Sequence, residues 1–344
     1  MKKIGLKDVA NSAGVSISLV SYVLNGQAVQ KKVKKETAKR IIEAANNLNY
    51  KPDLIAKSLK MSKTHSIGLI VADIDYRYTS GITKAIEEEA KRCNYTVIYG
   101  SSNERRDAFV ELINVFTNRR VDGLIIIPVE GCEDQLHLLQ GYGIPYVLVD
   151  RLFKNIDSSY IGLDNFQASY NATEYLIKLG HKKIFFCNYH TTLFHLQERN
   201  RGYKKALLDY KIKFKPDWLI EIPNIPEDRY ENVTHGLNDV FEKKKECDAV
   251  FFASDNLAIC GLKYFIEKQI SIPDDVSVMS FDEYDEFEIF YCSITHSRQP
   301  LKEMGTLAVK TLVNLIEKRG VRKHITLKAD LVAGKSCKEG MISV

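Results

Sequence analysis

The stretch Leu6-Lys7-Asp8-Val9-Ala10-Asn11-Ser12-Ala13-Gly14-Val15-Ser16-Ile17-Ser18-Leu19-Val20-Ser21-Tyr22-Val23-Leu24-Asn25-Gly26 decides how the chain begins. Leu6, Val9, Ala10 and Ala13 recur at helical spacing, and Gly14 follows where a left-handed residue ends a helix. Ser16 is placed to cap a second helix whose apolar stripe is Leu19, Val20, Val23 and Leu24, closing at Asn25-Gly26. Two short helices around a Gly-containing bend form a helix-turn-helix unit. A third helical stretch, Thr37 to Leu48, aligns Ile41, Ala44, Ala45 and Leu48 and completes a three-helix core. When such a unit binds DNA, its second helix enters the major groove with its first residues at base edges. Those residues are Ile17 and Ser18, with Tyr22 one turn further on, while Ser16, Ser21 and Asn25 are short polar groups suited to phosphate oxygens.

Charge supports a polyanion partner for this head. Residues 1–64 hold 13 Lys and Arg against 4 Asp and Glu, a net of +9, so the whole-chain +5 leaves −4 for the remainder. At 344 residues the chain exceeds one ordinary core, and 45% hydrophobic with 27% charged residues is the balance of a folded globular protein. The first ten residues do not lead into an apolar signal core, and nowhere do eighteen apolar residues run together, so no secretion signal or membrane span is expected. Seven cysteines without a C-x-x-C pair, mostly in or beside apolar runs, fit a reduced cytoplasmic compartment.

Beyond about Thr64 the pattern alternates. Ile67–Val71, Thr96–Tyr99, Gly123–Ile127 and Tyr146–Val149 are apolar runs of strand length separated by helical patterns such as Ile82–Cys93. The arrangement repeats at Ile184–Cys187, Ala249–Phe252 and Val276–Met279, and Val121-Asp122-Gly123-Leu124-Ile125-Ile126 is echoed by Cys247-Asp248-Ala249-Val250-Phe251-Phe252. Continuous apolar strands with helical crossovers imply parallel sheets covered on both faces, here two doubly wound subdomains of an α/β body. Ligands of such sheets bind beyond the carboxyl ends of the strands, which directs attention to the cleft between the two.

Leu6-x-Asp8-Val9-Ala10-x-x-Ala13-Gly14-Val15-Ser16-x-x-x-Val20-Ser21-x-Val23-Leu24-Asn25-Gly26, then Leu48-Asn49-Tyr50-x-Pro52 and Ala56-x-x-Leu59, closely resembles the lactose/galactose repressor family of bacterial transcription regulators. The resemblance continues through Val121-Asp122-Gly123, Leu179-Gly180-His181, Gly202-Tyr203, Ser254-Asp255 and Arg298-Gln299-Pro300. It implies a helix-turn-helix domain over 1–49, a hinge over 50–63, and a periplasmic-binding-protein-like body over 64–344. The implied N-subdomain covers about 64–163 plus 293–325, and the C-subdomain about 164–292 plus 326–338. It further implies a homodimer on pseudo-palindromic duplex operator DNA, with a small-molecule effector, a carbohydrate, in the cleft. In such a dimer the hinge residues including Ala56 and Leu59 meet the minor groove, Leu59 matching the apolar wedge that parts the central base step.

Three departures from the family pattern stand out. Many members carry arginine where Tyr22 stands, and tyrosine cannot make the bidentate guanine contact, so a different base preference follows. The loop Gln27–Lys32 is longer than usual, and Lys34 replaces the serine that commonly caps the third helix. The loop after the first body strand reads Tyr76-Arg77-Tyr78-Thr79 instead of Asn-Pro-Phe-Phe. By resemblance Tyr76 and Tyr78 offer flat faces to the effector, Arg199 clamps it with Arg201 as the alternative, and Asp282 accepts its hydroxyls. Phe251 is an apolar wall or sheet core, and Ser254, Asp255 and Gln299 complete the candidate ligand-binding set, Asp255 with capping of the next helix as its other role. Glu283, Asp285, Glu286 and Glu288 read as a solvated acidic loop.

Enzyme signatures fail. Gly141-Tyr142-Gly143 precedes a strand and lacks a third glycine, and Gly334-Lys335-Ser336 lacks the first glycine of a phosphate loop. The eight histidines form no metal motif, and His190 and His195 would not share a helix face, so no cofactor or metal is expected. The expected function is a ligand-controlled, sequence-specific DNA-binding regulator, a repressor. The alternative is a cytoplasmic small-molecule binding protein whose head anchors nucleic acid without sequence preference.

Overall fold

The computed structural model describes residues 4–51, 63–225, 227–243 and 246–338, and divides at Thr64/His65 into two compact units. In the first unit α1 (Leu6–Ala13) starts at Gly5, whose N–H donates to the Asp8 carboxylate at 2.8 Å, and stops at Gly14 with φ of 63°, a left-handed turn that glycine enters without steric cost. Ser16 Oγ accepts the Leu19 N–H at 3.3 Å, opening α2 (Ile17–Leu24), and α3 spans Lys35–Asn47. The third helix thus begins two residues before the expected Thr37, and Lys34 supplies no side-chain cap. Val9, Ala10, Ala13, Val20, Val23, Ile41, Ala44 and Ala45 form the buried centre, the stripe read from the sequence.

The second unit holds two six-stranded sheets. The first sheet has β1 (Ser66–Val71), β2 (Thr96–Ser101), β3 (Gly123–Ile126), β4 (Tyr146–Val149), β5 (Ser159–Leu163) and β11 (His324–Leu327) in the order β11-β5-β4-β3-β1-β2. The second has β6 (Ile184–His190), β7 (Leu219–Pro223), β8 (Ala249–Phe252), β9 (Ser277–Phe281), β10 (Thr295–Arg298) and β12 (Asp330–Val332) in the order β12-β10-β9-β8-β6-β7. All pairings are parallel except β10 with β12. Helices separate the other parallel strands, while β4 runs to β5 through a loop and β9 to β10 through a single 3-10 turn, Asp285–Phe287, and each sheet carries its own apolar core.

One boundary differs from expectation. Residues 293–298, expected in the N-subdomain, belong with the second sheet, because β10 extends β9 in register Thr295↔Met279. The chain crosses only at Gln299-Pro300, just before the helix Leu301–Ile316 that covers the first sheet. Likewise β11 runs two residues past the expected boundary at 325, to Leu327. The resemblance places these boundaries by position along the chain, whereas strand pairing determines which lobe a segment joins.

Candidate functional site

On the head, Ser16, Ile17 and Ser18 are exposed at the start of α2, and Ile17 leaves 47% of its surface in solvent although it is apolar. Tyr22 is half-buried with the Lys31 ammonium 5.3 Å from its ring centroid. Asn25 is exposed and donates from Nδ2 to the Ser21 carbonyl at 2.8 Å and to Ser21 Oγ at 3.2 Å, so these two candidates act as one local group. Lys31, Lys32, Lys34, Lys35, Lys39 and Arg40 are exposed nearby in sequence. An exposed apolar residue flanked by the hydroxyls of Ser16 and Ser18 suits a groove edged by phosphates. Ala56 and Leu59 lie outside the described residues.

In the body, a cavity of about 630 Å3 opens between the lobes at the carboxyl ends of both sets of parallel strands. Tyr76, Tyr78, Arg199, Asp255, Asp282 and Gln299 line it together, although they are dispersed over more than two hundred positions of sequence. Phe251 does not line it. It lies fully buried in β8, stacked on Phe281 at 6.5 Å and tilted against Phe186 at 5.0 Å, so of its two readings the sheet-core one is correct. Arg201 is also excluded from the wall, since its guanidinium pairs with Glu198 at 2.6 Å on an exposed helix face.

Arg199 is fixed from several sides. Nε donates to Asn165 Oδ1 at 2.8 Å, Nη1 donates to the Ala253 carbonyl at 2.6 Å and to Asp282 Oδ2 at 3.3 Å, and the fork lies 3.6 Å over the Phe281 ring. Gln299 Nε2 in turn donates to Asp282 Oδ1 at 2.5 Å. The helix Phe194–Asp209 that carries Arg199 can approach the helix Asn165–Lys178 because residue 202 is glycine. A Cβ there would stand 2.2 Å from the Phe166 carbonyl oxygen.

Several lining residues escaped the sequence reading: Glu104, Asp150, Arg151, Tyr189 and His195. Arg151 forks onto Glu104 at 2.9 and 2.6 Å, a bidentate pair buried in the N-lobe wall. Asp150 follows β4 as Asp282 follows β9, and both take left-handed backbone angles, φ 65° and 72°. For a non-glycine residue that conformation costs of order 1 kcal/mol and is retained where the site over-determines it. The two aspartates are counterparts in the two lobes. Extending the internal echo from the third strands to the strand ends would have found Asp150.

Electrostatics follow burial. Asp150 is pushed up to about 6 by burial, against the pull of Arg151 and Arg199. Asp255 is pushed up to about 7, first by burial and then by the neighbouring Asp282 charge. Burial, then Arg151 and Arg199, hold His195 well below its ordinary value and hence neutral. Buried wall atoms without a protein partner include the acceptors Asp150 Oδ1, Asp255 Oδ2 and Gln299 Oε1, and the Tyr78 hydroxyl. An arrangement of this kind binds a polar molecule and shows no nucleophile–base pairing.

A pH dependence results. Asp150 and Asp255 hold protons more tightly when folded than when unfolded, so the stability these two groups contribute is fully present below their unfolded values near 4 and is lost as pH rises through about 6 to 7. Asp255→Asn removes the ionisation and keeps an acceptor for the Asn256 N–H, bonded at 2.8 Å. Its gain in melting temperature should be larger by about 3 °C or more at about pH 8 than at about pH 5. Equal gains in calorimetric scans at both pH values would contradict a buried, ionisable Asp255.

Two polar bridges cross the cleft at its rims. Arg77 of the N-lobe forks onto Asp285 of the C-lobe at 2.8 and 2.7 Å, so one member of the expected solvated acidic loop is a cross-lobe partner. Glu130 accepts the Thr192 N–H at 2.7 Å and the Thr191 hydroxyl at 3.1 Å. Among the described residues no helix is long and apolar enough to cross a membrane, and no cluster of His, Cys, Asp and Glu could hold a metal.

Comparison with known proteins agrees with this anatomy. Residues 5–53 match the family model for bacterial regulatory proteins of the lacI family, and residues 173–337 match a periplasmic binding protein-like domain. The HTH-type transcriptional repressor PurR of Histophilus somni (strain 2336) is 32% identical over 336 residues, covering 97% of this chain and 98% of the relative. The crystal structure of the Lac repressor dimer bound to operator and the anti-inducer ONPF superposes with a TM-score of 0.86 at 21% identity, covering 98% of this chain and all of that one. A LacI family transcriptional regulator from Enterococcus faecium with bound ribose gives a TM-score of 0.69 at 25% identity over 80% of this chain and 99% of that one. With head and body matched in order and nearly end to end, the chain belongs to the lacI family of bacterial regulatory proteins.

Proposed function

We propose that this DNA-binding regulator is a homodimeric repressor whose grip on its operator is set by a small carbohydrate held between the lobes. The observation that carries the reading is the preorganised Arg199–Asp282–Gln299 group, whose members come from separate elements and meet at one wall of the cavity. A guanidinium fork beside carboxylates and flat rings suits a ring bearing hydroxyls. The ribose-bound relative from Enterococcus faecium and the operator-bound Lac repressor dimer support the ligand class and the dimer. An effector that prefers one lobe arrangement shifts the population toward it, and the spacing of the two hinge segments, and so operator affinity, follows.

The test is operator selection from random duplexes with the full chain, repeated with a panel of sugars. A regulator discriminates its operator from bulk DNA by roughly a thousandfold or more, and one sugar should change that affinity at least tenfold. Discrimination under about tenfold would instead support a nonspecific anchor.

The rim bridges make a further expectation. Arg77→Ala removes the exposed Arg77–Asp285 fork and should weaken effector binding about two- to fivefold without altering operator preference, the range of a surface ion pair. Asp285→Ala should cost the same, and the double variant no more than either single one. Additive losses in calorimetry would show that the two residues do not act together.

A further inference from the structure

The charges of the cleft are not balanced from within. Among the described residues the guanidiniums that line the cavity are Arg151 and Arg199, and both are engaged by the protein, Arg151 by Glu104 and Arg199 by Asp282. A third guanidinium, Arg229, lies over the Tyr76 ring at 5.7 Å, keeps Nε and Nη2 without a hydrogen-bond partner and acts on Asp255 by charge, but does not itself line the cavity. The wall therefore has two further carboxyls, Asp150 from the N-lobe and Asp255 from the C-lobe. Asp150 has only a 3.8 Å approach to Arg151 Nε, and Asp255 Oδ1 accepts one backbone N–H. Each is at least nine-tenths buried, and each keeps one oxygen, Asp150 Oδ1 and Asp255 Oδ2, without a protein partner. Gln299 Oε1 is a third such acceptor, and the neutral His195 adds no positive charge. A molecule that fits this wall brings hydrogen-bond donors to at least three acceptors. A phosphate or carboxylate would face four lining carboxyls, Glu104, Asp150, Asp255 and Asp282, against two guanidiniums that each already hold one of them, and like charges set together without water are costly.

We infer that the cleft selects a sugar or amino sugar bearing no anionic group, and that Asp150 and Asp255, one from each lobe, enforce this charge discrimination. The inference rests on the carbohydrate reading above and adds the class of carbohydrate. Hydroxyls or an ammonium satisfy the free oxygens, whereas terminal phosphate esters and uronic acids are rejected.

The experiment is titration calorimetry of the full chain with D-ribose, D-glucose and D-galactose, their terminal phosphate esters, and glucosamine and galactosamine. Whichever free sugar binds, its phosphate ester should bind at least about a hundredfold more weakly, and the matching amino sugar should bind no less tightly than the ester's parent. At about pH 8, where Asp255 is ionised, Asp255→Asn, checked for native circular dichroism, should narrow the sugar-to-ester ratio to under about tenfold by removing one of the two charges. An ester that binds as tightly as its parent in the wild-type chain overturns the inference and leaves the carbohydrate reading standing. No binding by any member of the panel, together with no change in operator affinity, overturns both.

Discussion

Arg199→Ala should abolish the response to effector while operator binding persists. The side chain contributes three hydrogen bonds, to Asn165, the Ala253 carbonyl and Asp282, and lies against Phe281. Truncation removes the donor edge offered to a ligand and leaves Asp282 with only Gln299 as its side-chain partner in the wall. Hydrogen bonds to charged groups contribute about 1.5–3 kcal/mol each, so loss of two ligand contacts corresponds to a fall in affinity of at least about a hundredfold. Leaving a buried charge without its partner also destabilises the C-lobe by about 3–5 kcal/mol, and Arg199→Lys separates the two effects. Lysine restores the charge beside Asp282 but not the planar fork, so stability should recover more than effector affinity. Calorimetry that finds unchanged ligand affinity in Arg199→Ala would remove Arg199 from the site.

Ile17→Glu should cost at least about a hundredfold in operator affinity while leaving the head folded. Residue 17 is the first of α2 and nearly half exposed, so no core packing is lost. A carboxylate in the first turn interacts favourably with the helix dipole, worth about 0.3–1 kcal/mol, and the thermal stability of the head should hold or rise. In the groove expected for the start of α2 the same carboxylate would meet phosphates and would take away the apolar contact expected with the base edges. Circular dichroism confirms the fold, and fluorescence anisotropy on operator and bulk duplex reads the affinity. Wild-type operator binding by Ile17→Glu would move the base-reading surface away from the start of α2.

The head was the more legible part of the chain because its information is local. Gly14, Ser16 and the stripe Leu19, Val20, Val23 fix helix ends and faces within a few residues, and the caps appear where the sequence puts them. The start of α3 was misplaced because Lys34 gives no side-chain signal for a cap. In the body, apolar runs marked the central strands, but β5, β7, β10, β11 and β12 are mixed in polarity, and alternation such as that of Leu219–Pro223 and His324–Leu327 spans too few residues to separate them from loops. That is why the second crossing was drawn before β10 rather than after it.

The cleft was legible only where motifs pointed to it. Arg199, Asp282 and Gln299 sit beside motifs and were found, while Glu104 and Arg151 become meaningful only when two loops meet across a sheet end. Phe251 had two physical readings that the sequence left equal, and packing on Phe281 decided between them.

The chain passes between lobes at Leu163–Asn165, at Gln299-Pro300 and, between β11 and β12, at Lys328-Ala329, and residues of the first two connectors also hold the Arg199–Asp282 pair: Asn165 bonds Arg199, and Gln299 bonds Asp282. Both of these connectors are therefore tied by direct hydrogen bonds to residues of the cavity wall, Arg199 and Asp282. A molecule that grips Arg199 and Asp282 is thereby one hydrogen bond away from each connector. Lengthening either connector by a glycine should consequently blunt signalling in a protein that still captures its ligand.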